Sequence, residues 1–554
     1  MQENNDSELD PLVNSKENKM IHFLRKNPFT FLVTLLIIGI GIRFTYFPYD
    51  IPFTYDSLDY FGYAVKTSQI GTLPQGWALA NNGWPVFVSF FFSFMQPNTF
   101  FEHIEIQRSL SIIISSLTSI PVYFIVSKFF KKEIALVASA LFIFEPRIII
   151  NSLEGGNIEF YIFLVTSGIS LFLSNNKKIT YISFCVIALS VFVRYEGLLL
   201  IIPFSIMFFV KFRSEKMVIP KYILVIAIFV LVLLPMSYLR IEAVGEDGIT
   251  SHILAGFQYI QYNILQGIPE PGYDPVLGQF DLPEKETWLK RDQNNIVDFT
   301  SSVITGFVSN FSRMMIPFFV LPSLIAFFII IKNKQFKNID WRISTLILCG
   351  FFLLIPAFYS YGRHLEETRY IFPIIPILCC FCVIPLIYIK KKLYVASLII
   401  IIGIISISVF SINFKDLDYE HEQSAFSAAK FIAQNSDGVN SFFPEGRYIK
   451  TADLENNWPD IISVSTYGHI DRLTKRFDFY EQESLNKFIL DFKDDGLTHI
   501  FVDGGTNRNK LLNDIFHNEK NYPYLIKEYD SLNSSGYHVK IYKIDYDVFY
   551  RLLQ

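Results

Sequence analysis

RYIFPIIPILCCFCVIPLIYIKKKLYVASLIIIIGIISISVFSIN, residues 369–413, holds two long apolar runs separated by three consecutive lysines. Tyr370–Ile389 and Leu393–Asn413 are each near the length a helix needs to cross about 30 Å of hydrocarbon, at about 1.5 Å per residue. Basic residues in short loops stay on the cytoplasmic side, so Lys390, Lys391 and Lys392 place this turn inside. Outward from this pair the chain has nine more apolar stretches. They are Pro28–Phe47, Ser109–Phe130, Ile134–Ile150, Ile158–Leu173, Thr180–Val193, Leu198–Phe212, Tyr222–Leu239, Ile304–Ile331 and Ile343–Tyr359. The pattern predicts a polytopic α-helical membrane protein with about eleven transmembrane helices.

The other breaks repeat the lysine signal. Lys128/Lys131/Lys132, Lys177/Lys178, Lys211/Arg213/Lys216 and Lys332/Lys334/Lys337 follow the second, fourth, sixth and eighth stretches. With Arg25/Lys26 before the first, the alternation puts residues 1–27 in the cytoplasm. The polar opening MQENNDSELD is no signal peptide, so the first stretch reads as a retained signal-anchor. Loops 48–108, 240–303 and 360–369 then lie outside, with everything after residue 413. The predicted division is a transmembrane domain, 28–413, and a C-terminal extracytoplasmic α/β domain, 414–554.

In the first loop, Trp84–Met95 is apolar but too short to cross, and it reads as a re-entrant or interfacial helix. In the tail, Glu422–Gln434, Glu481–Asp491 and Lys510–Phe516 have helical patterns. Ile461–Ser465, His499–Val502 and His538–Ile544 read as strands, the second ending in the turn Asp503-Gly504-Gly505.

Composition excludes several classes. Hydrophobic residues are 51% of the chain and charged ones 18%, and a net charge of −4 gives no footprint for nucleic acid. All five cysteines (Cys185, Cys349, Cys379, Cys380, Cys382) fall within apolar stretches, so the external loops hold neither disulfides nor zinc spacing. A cell-membrane location follows, among membrane lipids.

The ionisable residues on the outer side carry the functional question. Asp56 and Asp59 stand three apart, on one face of a helix. Such a pair can hold a divalent cation, or one member can be the general base for an acceptor; a helix cap is the plain alternative. Glu145-Pro146-Arg147, Glu154-Gly155-Gly156-Asn157 and Glu159 stand at the outer ends of the third and fourth stretches. Arg194 and Glu196 lie between the fifth and sixth, and Arg363, His364, Glu366, Glu367, Arg369 and Tyr370 between the ninth and tenth. Charges at this depth are costly unless paired or solvated, and self-paired loops are the plain reading of any one of them. As a set, carboxylates and guanidinium forks at headgroup level suit an anionic lipid substrate and a hydroxyl or amine acceptor.

These elements resemble membrane-embedded glycosyltransferases of the C-type fold. The nearest branch holds protein O-mannosyltransferases and the aminoarabinose transferase of lipid A. The resemblance rests on Asp56, Asp59, Tyr60 and Tyr63-Ala64 leading to Gly83-Trp84-Pro85, and on Pro146…Ser152…Glu159. It also rests on Arg194-x-Glu196-Gly197 and on Arg369-Tyr370-x-x-Pro373-x-x-Pro376. It covers about residues 28–413. It implies a polyprenyl-phosphate-linked (dolichyl-type) sugar as donor and an extracytoplasmic protein, glycan or lipid as acceptor. A first-loop aspartate would be catalytic, with Arg369 and Arg194 on the carrier phosphate. Glu159, Glu196, Arg363, His364 and Tyr370 complete the substrate-binding set. The adjacent Asp-Glu of the protein O-mannosyltransferases is here two acids three apart, which leaves Asp56 and Asp59 both open as base, Asp56 being nearer the membrane. Asn456-Asn457-Trp458-Pro459-Asp460 is not the Trp-Trp-Asp-x-Gly of oligosaccharyltransferases, so transfer of a whole glycan to asparagine is not expected. A transporter would require mid-depth charges and usually internal repeats, whereas the stretches carry almost no charge at mid-depth and no repeat is visible; a membrane scaffold leaves the charged loops without a role.

Overall fold

The computed structural model describes residues 27–261 apart from 54, 80 and 260, then 296–332, 340–389 apart from 366, and 393–415. It also describes a few positions between 417 and 471, and 484–553 apart from 495–496, 504–509 and 532–537. Asn456–Asp460, most of Glu422–Gln434, and Glu366, Gly504 and Gly505 lie outside the described residues.

Helices occupy all eleven apolar stretches, but their lengths differ. Among the described residues seven are long and apolar enough to cross a membrane, or eight if a bent pair counts as one. The seven are Pro28–Thr45, Phe100–Val126, Tyr195–Phe212, Val218–Val244, Trp341–Gly362, Thr368–Tyr388 and Leu393–Lys415. Large apolar side chains such as Leu231, Leu234, Phe327, Phe351 and Phe410 face outward, as lipid-facing helices require. Helices Ile158–Phe172 and Lys177–Val193 fall short of that length. They pack against each other in the core, where Phe172, Phe184 and Ile187 are fully enclosed.

The third stretch is broken. Glu145 caps a new helix, Pro146–Leu153, its carboxylate accepting from the backbone N–H of Arg147 (2.6 Å) and Ile148 (2.9 Å). Proline at the first helical position completes the start. A hydropathy window averages over such a polar-proline pair, which is why the sequence reads it as continuous. The eighth stretch bends by 103° between Ile296–Met315 and Val320–Lys332. Arg147, paired with the buried Glu145 at 3.0 Å, donates to the carbonyls of Arg313, Met314 and Ile316 at that bend. Arg147, held by Glu145, therefore supplies donors to carbonyls freed by the break.

Between the first two spans lie helix Tyr55–Ile70 and the short helix Gly83–Met95, packed together. Leu58, Phe61, Ala64 and Val65 bury one face of the former in the core. In the C-terminal region, strand Val539–Ile544 is flanked antiparallel by His499–Asp503 and Leu525–Asp530. Helices Leu485–Phe492, Lys510–His517 and Tyr546–Leu553 accompany it, and Phe488, Ile489, Ile515, Tyr542 and Phe549 form a core of their own. Strand Leu525–Asp530 and helix Tyr546–Leu553 are additions to the elements expected from the sequence; the strand's charged residues Lys527, Glu528 and Asp530 interrupt the apolar alternation that marks a strand. Ser463–Val464 pairs with Ile470–Asp471.

Candidate active site

Asp56 lies in the first turn of helix Tyr55–Ile70, its side chain about half exposed. The backbone leading to it is pinned by Arg108, which donates to the carbonyls of Pro48 and Ile51 (3.0 Å each) and Leu153 (2.7 Å). Gln107 donates to the carbonyl of Gly155 at 2.9 Å and lies 3.4 Å from that of Ser57. Trp84 Nε1 donates to the same Gly155 carbonyl at 3.0 Å. Gly155 has φ of +70°, and a Cβ there would stand 2.5 Å from the Phe53 ring, so the turn must be glycine.

Arg369 arrives from the far end of the sequence, in the 3-10 turn Thr368–Ile374 that opens the tenth stretch. Thr368 Oγ1 donates to Asn310 Oδ1 at 2.8 Å and Tyr361 OH to the Glu367 carbonyl at 3.1 Å, which fix this turn. The Arg369 guanidinium meets Asp56 Oδ2 at 2.9 Å and also pairs with Glu367. Tyr370 is shared by two cations: the guanidinium carbons of Arg369 and Arg194 are each 5.9 Å from its ring centroid.

Arg194 ends helix Lys177–Val193 in extended backbone, and its NH2 bonds Glu196 Oε1 at 2.7 Å. Burial opposes its charge, but Glu196 outweighs burial and raises its proton affinity above the ordinary value. Asn157 joins this turn to the first-loop helix, donating to Tyr60 OH (2.9 Å) and to the Val193 carbonyl (3.1 Å). Burial first, then the Asp56 charge, push the Tyr60 phenol up, so it stays neutral. Glu154 opens onto the same cleft. The protein around it raises its proton affinity, while Arg369 and Lys415 pull the other way.

The structure thus brings Asp56, Arg194, Glu196, Arg369 and Tyr370 together. Glu159 is elsewhere, fully buried and accepting from Asn151 Nδ2 at 2.8 Å. Its neighbour is the buried Arg43, which donates to Ser152 Oγ (3.2 Å) and the Ile143 carbonyl (2.9 Å). Arg363 lies over the Tyr359 ring at 5.5 Å, and His364 Nδ1 is 3.3 Å from Ser302 Oγ. Asp59 is half-buried on the same helix as Asp56, yet Asp56 is the acid that meets Arg369. Tyr60, Glu154, Asn157 and Glu367 were quoted in the sequence motifs without a role. Their convergence depends on contacts between residues far apart in the chain, which spacing does not reveal.

Among the described residues no three of His, Cys, Asp and Glu stand close enough to hold a metal ion. The Asp56 carboxylate faces the Arg369 guanidinium. What the cluster offers chemically is a half-exposed carboxylate beside two fixed cations, on a boundary between apolar helices and water.

No protein-family model and no curated protein matches the chain. Solved structures do. The Archaeoglobus fulgidus oligosaccharyltransferase in complex with Zn and sulfate is 13% identical, with a TM-score of 0.47 over 80% of this chain and 59% of that one. The archaeal oligosaccharyltransferase AglB from Archaeoglobus fulgidus, in complex with an inhibitory peptide and a dolichol-phosphate, gives 12% and 0.47 over 81% and 62%. ArnT from Cupriavidus metallidurans bound to undecaprenyl phosphate gives 10% and 0.41 over 74% and 66%. Each of these is a protein that this chain is similar to. The chain spans about three fifths of the oligosaccharyltransferase's length.

Proposed function

We propose that this chain is a membrane glycosyltransferase that moves a sugar from a polyprenyl-phosphate carrier to an extracytoplasmic acceptor. The single observation that carries the reading is the meeting of Asp56 and Arg369 at 2.9 Å, with Arg194 sharing the Tyr370 ring with Arg369. A guanidinium binds a phosphate oxygen through a charge-assisted fork, and a carboxylate beside it faces the bond being exchanged.

The reaction is a direct displacement. The acceptor oxygen or nitrogen attacks the anomeric carbon as the bond from that carbon to the phosphate oxygen breaks. The acceptor proton passes to Asp56, and the departing lipid phosphate gains one negative charge, which Arg369 and Arg194 stabilise. Phosphate is a good leaving group, so positioning and charge stabilisation supply most of what is needed. Asp59 is the second candidate base, one helical turn further on. Glu159 is a buried partner of Asn151 near Arg43 and takes no part in the transfer step, and Arg363 and His364, at Tyr359 and Ser302, are given no role in it. The polyprenyl tail lies along the apolar helices, residues 1–27 are cytoplasmic, and 414–554 form an external domain. The direct test is sugar transfer by purified protein from defined polyprenyl-phosphate sugars, with Asp56→Asn and Arg369→Ala as the diagnostic variants.

A further inference from the structure

Next to the Arg194–Glu196 turn stands the start of the second external segment, which reaches Tyr195 through His252. Helix Val218–Val244 ends in a left-handed Gly245, and Asp247 starts a new helix, Thr250–Tyr259. The Asp247 carboxylate accepts from the backbone N–H of Ile249 and Thr250 (3.0 Å each) and from Thr250 Oγ1 (2.7 Å). Gly248 packs directly on Arg240: a Cβ there would stand 2.1 Å from Arg240 Nε. Arg240 is buried and donates to the Leu79 carbonyl at 2.6 Å, which ties this turn to the first loop. The helix start is therefore fixed on both sides, and it sets His252 flat against Tyr195, 4.8 Å between ring centroids and 18° between planes.

Among the described residues three buried polar atoms here find no hydrogen-bond partner: His252 Nε2, Arg240 Nε, and Glu196 Oε2, the oxygen not engaged by Arg194. They come from three separate segments, and Arg240 and Glu196 both lie within electrostatic reach of the imidazole. Leaving such groups unpaired costs folding free energy, so each calls for an account of what satisfies it. Burial and Arg240 drive the proton off His252, outweighing Glu196 and Asp247, so the ring is neutral and offers one donor and one acceptor. With a carboxylate oxygen and an N–H beside it, the set matches neighbouring hydroxyl groups, each of which both donates and accepts.

We infer that His252, Glu196 and Arg240 form a hydroxyl-reading subsite that selects the sugar carried on the lipid phosphate. This rests on the transfer reading above. The phosphate end of the donor lies at Arg369 and Arg194, and the sugar extends past Glu196 beneath helix Thr250–Tyr259. His252 is then a specificity residue that touches the sugar and leaves the phosphate alone.

The experiment measures binding to the full-length protein in nanodiscs. The probes are bare undecaprenyl phosphate and undecaprenyl phosphate carrying glucose, mannose or galactose. The parent is expected to bind one sugar-bearing lipid about tenfold tighter than the bare one. His252→Ala removes that preference and leaves affinity for bare undecaprenyl phosphate unchanged, while His252→Gln, which keeps a donor and an acceptor, retains part of it. Equal weakening of bare and sugar-bearing lipids, or no change in either, overturns the inference and leaves the transfer reading standing. So does a parent that binds all three sugar-bearing lipids no better than the bare one. A parent that ignores every polyprenyl phosphate defeats the transfer reading itself.

Discussion

Removing Arg369 separates stability from function more sharply than any other change. In the resting protein its guanidinium pairs with Asp56 at 2.9 Å and with Glu367, but it is about one-third exposed and Asp56 about half exposed. Ion pairs in such solvent are screened, and losing one costs about 0.2–1 kcal/mol of stability. A bound lipid phosphate would meet the same guanidinium with water excluded. There, hydrogen bonds to charged groups are worth about 1.5–3 kcal/mol. That range is a loss of roughly 10- to 150-fold in kcat/KM for the donor. Arg369→Ala should therefore unfold within a few degrees of the parent and use the polyprenyl-phosphate sugar 10- to 150-fold less well, with acceptor dependence little changed. Arg369→Lys keeps the charge without the fork and should fall between. The assay is donor titration at saturating acceptor, with thermal unfolding in parallel. Donor use like the parent's would show that the phosphate is held elsewhere. Equal losses in stability and turnover would make Arg369 a structural residue of the helix start.

Three further outcomes follow from the same geometry. Asp59→Asn should retain at least about a tenth of parental transfer, because Asp56 is the acid at the arginine; abolition by Asp59→Asn with activity kept in Asp56→Asn would move the base one turn along the helix. A reporter active only outside the cytoplasm should work when fused after Asn413 and stay silent after Lys178 or Lys391; the opposite result would turn the site to the wrong side. His252 has its pKa lowered to about 4 from 6.5, so the unfolded chain binds more protons in between and the folded state loses stability as pH falls through that window. His252→Gln should flatten that limb in urea or thermal unfolding between pH 6.5 and 4, and an unchanged curve would show that the imidazole titrates freely.

Much of this arrangement is legible in the chain itself, for definite reasons. Burial in lipid demands long apolar runs, and each such run is helical in the structure, the third and eighth as two helices apiece. Asp56, Arg194, Glu196, Arg369 and Tyr370 stand out because charges at a membrane boundary are rare, and all five converge. The break at Glu145-Pro146 is hidden because hydropathy averages over it, although an acidic cap followed by proline is a local start signal. The buried Arg43 explains why Glu159 is not in the cleft: a cation within the first span needs a counter-charge, and the sequence does not say which acid provides it. His252 and Arg240 are invisible from spacing, since only the turn at Asp247 and Gly248 brings them to Glu196.

The most direct test follows a radiolabelled sugar from its carrier. Purified parent protein in liposomes, given polyprenyl-phosphate-linked [14C]hexose and an extracytoplasmic acceptor fraction, should move the label to the acceptor and release polyprenyl phosphate in equal amount. Folded Asp56→Asn should release neither. Label that stays on the lipid with the parent protein, or moves equally fast with Asp56→Asn, would contradict the account.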